Sequence, residues 1–332
     1  MKKFIITLFS ILFLSTSTHA QDINVAFTID NNYPIFTLLA INTILQNNVS
    51  NSHYKFYIIE NNVTAKNKEK MTKYVHQRNQ DIEFINIDTK IIDDGANFFK
   101  LSGRITRIAL IRILLPDLLP EDVHKVIYLD GDICVNEDLK NLYDIDLENY
   151  PAGLASNITF VQLISKKKLN FEYYNSGVIL MDLDMWRKEK ISKEMIDFID
   201  KYMPLFLNGE IYLYPDQDLI NIVLNGRIKK LPQKWNNQTI RRIVLDDIYD
   251  GGIVHFIGDK KPWNYPARAD DTFKIYYKYW NTSGLKMYKY YYGILGLKNI
   301  YLDIYQYKLK RFYKFKTWLF EKLAIKSLTT SK

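Results

Sequence analysis

The stretch KVIYLDGDICV, at residues 125–135, sets the fold class because it joins a buried strand to a pair of carboxylates. An apolar run of the kind found in strands covered on both faces ends at Asp130, Gly131 and Asp132, and apolar residues then resume. Asp and Gly commonly end strands, so a plain turn would explain the pattern. Two carboxylates separated by glycine can also converge on a divalent cation, because glycine lets the backbone bend between them.

Strand and helix patterns alternate on both sides of this stretch. Strands are predicted at residues 23–30, 54–60 and 82–88, and helices at residues 33–48, 65–78 and 104–120. Residues 152–157 and 176–187 are predicted as further strands, the second passing into a helix at 185–202. Nearly continuous apolar strands alternating with helices indicate an α/β protein with a central, mostly parallel sheet covered by helices on both faces.

The composition is that of a globular protein with a sizeable core. The 332 residues are 47% hydrophobic and 25% charged. Cys134 is the single cysteine, which excludes an intramolecular disulfide and a four-cysteine zinc site.

The two ends of the chain differ from its body, and we divide the sequence into residues 1–20, 21–272 and 273–332. Lys2 and Lys3 precede an apolar run, and small residues lead to Ala20, the pattern of a signal peptide cleaved after Ala20. An uncleaved anchor at the cytoplasmic membrane face and a cytoplasmic chain with an unusual start are the alternatives. The apolar run is short for a membrane span, which needs roughly 20 residues.

The C-terminal segment is basic and aromatic. Residues 274–332 contain 13 Lys and Arg against 2 acidic residues. An apolar stripe with helical spacing runs from Tyr305 to Leu323 and is flanked by lysines, which is typical of a helix on an anionic membrane surface. Packing of this stripe on the protein body is the alternative. Contact with nucleic acid is not expected, because no motif of a nucleic-acid-binding fold accompanies the basic residues.

A second group of polar residues follows another apolar strand pattern, GIVHF. His255 ends that pattern, and Gly258 and Lys261 follow it. Two carboxylates and one imidazole leave coordination positions open, which suits Mn²⁺ carrying diphosphate oxygens, and a lysine offsets phosphate charge. A buried structural histidine is the alternative for His255.

A third group opens the predicted helix in YPDQDLIN. Asp216, Gln217 and Asp218 precede apolar residues with helical spacing. Asp216 is in a position to cap the helix, and the three polar side chains are equally suited to line a sugar site.

Six segments occur in the order found in family 8 retaining glycosyltransferases: FTIDNNY, RILLPDLLP, KVIYLDGDICV, YYNSGVILMDLDMWR, YPDQDLIN and HFIGDKKPW. The sequence resembles this family, which includes bacterial lipopolysaccharide galactosyl- and glucosyltransferases and glycogenins, over residues 24–263. The resemblance implies a nucleotide-diphospho-sugar transferase (GT-A-type) fold and an enzyme that moves galactose or glucose from a UDP-sugar. It also implies Mn²⁺ or another divalent cation, and a saccharide or glycolipid acceptor such as lipopolysaccharide core.

The resemblance also implies roles for individual residues. The metal ligands would be Asp130, Asp132 and His255. The donor contacts would be Thr28, Asp30, Asn32, Arg112, Asp130, Gly131, Asn175, Gly258 and Lys261. Gln217 would support the oxocarbenium-like centre, Asp218 is the nearby carboxylate if a covalent intermediate forms, and Asp216 would lie around the transferred sugar. Asn157 replaces an Asp that close bacterial relatives carry on the donor sugar, so the identity of the hexose stays open.

Two other functions compete with glycosyl transfer. A UDP-sugar-binding protein of the same fold without turnover would be expected to have lost a metal ligand, and all three types remain in this sequence. A metal-dependent phosphohydrolase would need more ligands, often for two metal ions. Glycosyl transfer is therefore the prediction.

Overall fold

The computed structural model describes residues 22–87, 110–157, 172–207, 215–239, 251–258, 261–264 and 273–285. The described residues contain a seven-stranded sheet and a three-stranded sheet. The strands are β1 (Ile23–Asp30), β2 (Tyr54–Asn61), β3 (Asp81–Asn86), β4 (Lys125–Leu129), β5 (Ile133–Val135), β6 (Ala152–Ser156), β7 (Tyr174–Asp182), β8 (Ile228–Lys230), β9 (Asn237–Gln238) and β10 (Ile253–His255).

The larger sheet is mostly parallel, as predicted. Its strand order is β3-β2-β1-β4-β7-β6-β8. The pairs β3–β2, β2–β1, β1–β4 and β6–β8 are parallel, and β7 runs antiparallel to both of its neighbours. The smaller sheet has the order β5-β10-β9. It was not predicted, since its strands have only two or three residues each.

Apolar side chains fill the space on both faces of the larger sheet. In β1, Val25 and Phe27 belong to one buried cluster and Ala26 belongs to the other. Successive side chains of a strand point to opposite faces, so the two clusters lie on opposite sides of the sheet. The helices that cover them are α1 (Pro34–Gln46), α2 (Ala65–His76), α3 (Leu115–Leu118), α4 (Lys140–Tyr143), α5 (Leu183–Lys188), α6 (Ile191–Leu207), α7 (Pro215–Val223) and α8 (Phe273–Thr282).

The described part of the helix predicted over residues 104–120 is helical from residue 110 to Leu118, two residues short of the predicted end. From residue 110 the chain forms a 3₁₀ turn, Ile111–Leu114, and then the single turn α3. Leu119 is extended, with φ −81° and ψ 149°, because the following Pro120 disfavours helical backbone before it. Arg187 then binds this bend: its guanidinium donates to the carbonyls of Pro116, at 2.8 Å, and Val123, at 2.9 Å.

The predicted helix over residues 185–202 is two helices, α5 and α6. Lys190 separates them with φ +55°, a backbone conformation that an α-helix does not contain. Asp182 caps the first of these helices, since its carboxylate accepts a hydrogen bond from the backbone N–H of Met185 at 2.8 Å.

The described start of the C-terminal segment packs against the body. In α8, Tyr276 and Trp280 are buried, and the ring of Tyr276 contacts the rings of Phe256 and Trp263. The predicted N-terminal segment, residues 1–20, and the stripe from Tyr305 to Leu323 lie outside the described residues. Within the described part of the chain, none of the helices has the length and apolar character needed to cross a bilayer.

Candidate active site

Two adjacent sheets bring the three predicted metal ligands together. Asp130 follows β4, Asp132 precedes β5, and His255 ends β10, which pairs with β5 so that His255 lies opposite Ile133. Nε2 of His255 lies 3.6 Å from Oδ2 of Asp130 and 3.3 Å from Oδ1 of Asp132. One ligand atom from each side chain falls within 4.8 Å of the others, which is a compact site for one cation.

Gly177 in β7 makes room for this cluster. The backbone N–H of Asp130 donates to the carbonyl of Gly177 at 2.9 Å, so the two backbones are in direct contact. A Cβ atom on Gly177 would lie 2.1 Å from Cε1 of His255 and 2.8 Å from Oδ2 of Asp130. These separations are below van der Waals contact, so a side chain at this position is incompatible with the observed arrangement.

Lys261 completes the charged cluster. Its ammonium group donates to the carboxylate of Asp132 and, at 2.7 Å, to the carbonyl of Phe256. Burial by itself would raise the pKa of Asp132, but its contacts with Lys261 and His255 outweigh burial and hold this pKa well below its usual range. Asp132 is therefore a carboxylate at neutral pH, the form that binds a cation.

Arg112 lies at the centre of a buried ion-pair network. Its guanidinium is 3.1 Å from Oδ1 of Asp130 and 3.2 Å from Oδ2 of Asp216, and it donates to the carbonyl of Ser176 at 2.7 Å. Burial would lower the pKa of Arg112, but the two carboxylates raise it above its ordinary value. Arg112, which was predicted to contact the donor, therefore holds Asp130 in place. Asp216 is engaged in the same network and also accepts from the Ser176 hydroxyl at 2.8 Å.

The remaining residues predicted around the sugar form a hydrogen-bonded group. Nδ2 of Asn175 donates to Oε1 of Gln217 at 2.8 Å. Nε2 of Gln217 donates to the Tyr173 hydroxyl at 3.1 Å, and that hydroxyl donates to the carboxylate of Asp218. Asn175 comes from β7, and Gln217 and Asp218 come from α7, so the group links the sheet to the helix that covers it.

Three of the predicted donor contacts, Thr28, Asp30 and Asn32, lie at the carboxyl end of β1. Asp30 accepts hydrogen bonds from the backbone N–H of Asn32 at 2.8 Å and from its amide at 3.2 Å. Oγ1 of Thr28 is 3.0 Å from the hydroxyl of Tyr128, which donates to Oδ1 of Asp130 at 2.7 Å. This end of the sheet therefore contacts the carboxylate cluster through one tyrosine.

Tyr33, which was not predicted, lies between the two ends of the site. Burial raises the pKa of its phenol, and the negative charges of Asp132, Asp130 and Asp30 raise it further. The phenol is therefore neutral at physiological pH. Its ring makes an edge contact with Trp263, with ring centroids 6.1 Å apart.

Gly258 and Gly131 were both predicted to contact the donor, and each position favours glycine for a different physical reason. Gly258 has φ +82°, a conformation that other residues rarely adopt, and among the described residues no atom beyond its chain neighbours lies within 4 Å of the position of a Cβ. At Gly131 the limit is space, because a Cβ would lie 3.1 Å from Oγ1 of Thr37 and 3.2 Å from the ring of Tyr33.

Asn157 follows β6, and its backbone N–H donates to the carbonyl of Tyr173 at 2.8 Å.

Several residues that shape the site were missed by sequence reasoning. Tyr173, Ser176 and Gly177 lie in the segment YYNSGV, so their positions beside the predicted Asn175 were the available signal. Asn236 is fully buried in the 3₁₀ turn Gln233–Asn236, and its Oδ1 lies 3.0 Å from Nδ1 of His255. Nothing in the local sequence KWNNQ points to this contact.

The donor set fits a divalent cation. Two carboxylates and an imidazole nitrogen, with no thiolate among them, suit hard or intermediate divalent ions such as Mn²⁺. His255 is 3% exposed, and its second nitrogen is occupied by Asn236, which is the usual arrangement behind a metal-binding imidazole.

Known proteins resemble this chain over most of its length. The profile of Glycosyl transferase family 8 matches residues 24–267. General stress protein A of Bacillus subtilis is 28% identical over 262 residues, which cover 73% of this chain and 89% of that protein. A lipopolysaccharide 1,2-glucosyltransferase of Escherichia coli K12 is 25% identical over 266 residues, covering 76% and 75% of the two chains.

A similar fold occurs among solved structures. The galactosyltransferase LgtC, in a complex with donor and acceptor sugar analogs, superposes with a TM-score of 0.64 at 20% identity. The superposition covers 78% of this chain and 96% of LgtC. At this identity the comparison supports the fold, with its mostly parallel central sheet.

Proposed function

The chain belongs to glycosyl transferase family 8 and is a retaining hexosyltransferase, and we propose that it moves galactose or glucose from a UDP-sugar with the help of Mn²⁺. One observation supports both the proposed cation and the proposed UDP-sugar donor. It is the cluster of Asp130, Asp132 and His255 beside Lys261. These side chains combine cation ligands with a cationic group at one edge of the sheet. A diphosphate bound to a divalent cation has the charge that such a cluster complements.

In the proposed reaction the bond between the anomeric carbon and the UDP oxygen breaks, and a bond to the acceptor oxygen forms on the same face of the sugar. The hydroxyl proton of the acceptor leaves with the released UDP. Bound Mn²⁺ would supply charge stabilisation for the diphosphate leaving group. Lys261 adds a positive charge for the same oxygens. Gln217 supports the positive charge that develops at the anomeric carbon, and Asp218 is the nearby carboxylate for a covalent route.

The acceptor and its location are part of the same proposal. We infer a saccharide or glycolipid acceptor such as lipopolysaccharide core, because the Escherichia coli relative is named for that activity. We also propose that the chain works at a membrane surface. This is supported by the composition of two segments outside the described residues, the signal-like residues 1–20 and the basic aromatic stripe from Tyr305 to Leu323.

Donor hydrolysis without an acceptor tests the proposal. Purified protein from Gln21 onward is incubated with a panel of UDP-sugars, with Mn²⁺ or with a chelator, and released UDP is measured. We expect slow release from one UDP-hexose that requires Mn²⁺ and is lost in Asp130→Ala. Asp197→Ala, which removes an exposed carboxylate on α6 that pairs with Lys193, is the matched control and should behave as the wild type.

Three outcomes would contradict parts of the proposal. UDP release that persists in chelator and in Asp130→Ala would refute the cation site. Tight UDP binding without turnover of any donor, even with acceptor saccharides added, would favour a binding protein. Absence of UDP binding would refute the donor class.

A further inference from the structure

Asn236 connects the proposed cation site to the proposed sugar site. It is fully buried, and its side chain uses both ends of the carboxamide. Oδ1 lies 3.0 Å from Nδ1 of His255, and Nδ2 donates to Oδ1 of Asn175 at 2.8 Å. Asn175 in turn donates to Gln217. Asn236 therefore contacts the proposed metal ligand His255 on one side. On the other side it contacts Asn175, the residue that hydrogen-bonds to the proposed catalytic amide of Gln217.

Backbone donors fix the direction of these hydrogen bonds. The N–H of Gly177 donates to Oδ1 of Asn175 at 3.0 Å, so that atom is the carbonyl oxygen and not the amide nitrogen. Asn236 must then present Nδ2 to Asn175, which leaves Oδ1 for His255. Because Oδ1 can only accept, Nδ1 of His255 must carry a proton and donate it.

The hydrogen bonds on the sugar side have fixed directions for the same reason. Once Oδ1 of Asn175 faces Gly177 and Asn236, Nδ2 of Asn175 faces Oε1 of Gln217 at 2.8 Å. The backbone N–H of Ser176 also lies 3.4 Å from that oxygen. Nε2 of Gln217 is left to donate to Tyr173, as observed. All hydrogen bonds from His255 onward therefore run in one direction.

We propose that Asn236 is a positioning residue with two separable roles. As an acceptor, it keeps the proton of His255 on Nδ1 and aims the Nε2 lone pair at the space between Asp130 and Asp132. As a donor, it fixes the amide of Asn175 and thereby the orientation of Gln217. The inference rests on the proposed function, because it takes the carboxylate–imidazole cluster as the cation site.

Two substitutions separate the roles. Asn236→Asp keeps an acceptor for His255 but removes the donor to Asn175, whereas Asn236→Ala removes both. Partners that orient a metal-binding imidazole typically contribute about 10–100-fold to metal affinity or activity. We therefore expect Asn236→Ala to lower both Mn²⁺ affinity and kcat by at least about tenfold, and Asn236→Asp to lower kcat by a similar factor while Mn²⁺ affinity stays at or above that of the wild type.

The measurements are titration calorimetry with Mn²⁺ alone and UDP release from the donor identified in the hydrolysis assay. Asn237→Ala is the control: Asn237 is the next residue, is also buried, and its amide lies 3.5 Å from the carbonyl of Lys234. Circular dichroism melting of each variant shows whether it folds. The Asp variant keeps the inference testable if the Ala variant does not fold.

The outcomes distinguish this inference from the proposed function. If the wild type binds Mn²⁺ and both Asn236 variants match it in affinity and kcat, the inference is overturned and the cation site stands. Equal losses of affinity in the Ala and Asp variants would overturn the separation of roles. If the wild type itself binds no Mn²⁺, the cation site fails and this inference fails with it.

Discussion

Replacement of Gly177 by alanine tests whether the geometry of the cluster depends on the space above β7. The added Cβ would lie 2.1 Å from Cε1 of His255 and 2.8 Å from Oδ2 of Asp130. Carbon atoms in contact are about 3.5–4.0 Å apart, so the imidazole would have to move by roughly 1.5 Å. His255 is buried and tied to Asn236, and so it has little room to move.

The expected consequences differ for stability and for activity. Overpacking a buried site costs about 1–3 kcal/mol, which lowers Tm by several degrees. A displacement on the order of 1 Å in a catalytic arrangement can cost about 100-fold in rate. Gly177→Ala should therefore retain most of its stability while Mn²⁺ affinity and Mn²⁺-dependent UDP release fall steeply. Thermal melting, calorimetry and donor hydrolysis measure these three quantities.

Gly153→Ala is the matched control. It makes the same substitution in β6 of the same sheet, and its Cβ would lie 2.9 Å from the methyl carbons of Leu147 and Leu231, away from the carboxylates. We expect a similar loss of Tm with unchanged Mn²⁺ affinity. If Gly177→Ala binds Mn²⁺ and releases UDP as the wild type does, the cluster does not depend on the space that this glycine leaves beside His255, and the dependence is refuted.

Three further predictions concern charged side chains that hydrogen-bond within the fold. Arg187→Lys removes the planar group that binds several carbonyls of the bend after α3. It should lower the free energy of unfolding by about 1–3 kcal/mol, measured by urea titration. An unchanged urea midpoint would contradict this prediction. Arg112→Met leaves Asp130 and Asp216 without their buried partner and should cost about 3–5 kcal/mol, whereas a fully stable variant would show that the network is not buried in solution. Burial would raise the pKa of Glu60, but its hydrogen bond from Lys68 and further donors lower it below the ordinary value. Glu60 therefore stabilises the fold above its unfolded-state pKa, and this contribution is lost as pH falls through the lowered folded-state pKa. Glu60→Gln should thus lose less stability than the wild type between pH 7 and acidic pH, and equal losses would refute the assignment.

Local pattern was sufficient for the longer strands and for the positions of most polar residues. The apolar runs that form β1 and β4 are long enough to be read from the sequence, and the polar residues after them must lie at the carboxyl edge of a parallel sheet. Asp30 and Asp130 could be placed at the same edge for this reason. The helix predicted over residues 104–120 ends at Leu118, because Pro120 disfavours helical backbone at Leu119 and apolar spacing alone does not report this effect.

The contacts that make these residues a site depend on the tertiary structure. Asn236 and His255 are 19 positions apart, and Asn236 and Asn175 are 61 apart, so no local spacing reports their hydrogen bonds. The need for glycine at position 177 arises from the closeness of a histidine on a different sheet. The sequence by itself determined the parallel sheet, its polar edge and the kinds of chemical group placed there, because periodicity and strand ends are local properties. The tertiary structure decided which groups meet and which nitrogen of His255 faces the carboxylates, because those depend on packing between elements that lie far apart in the chain.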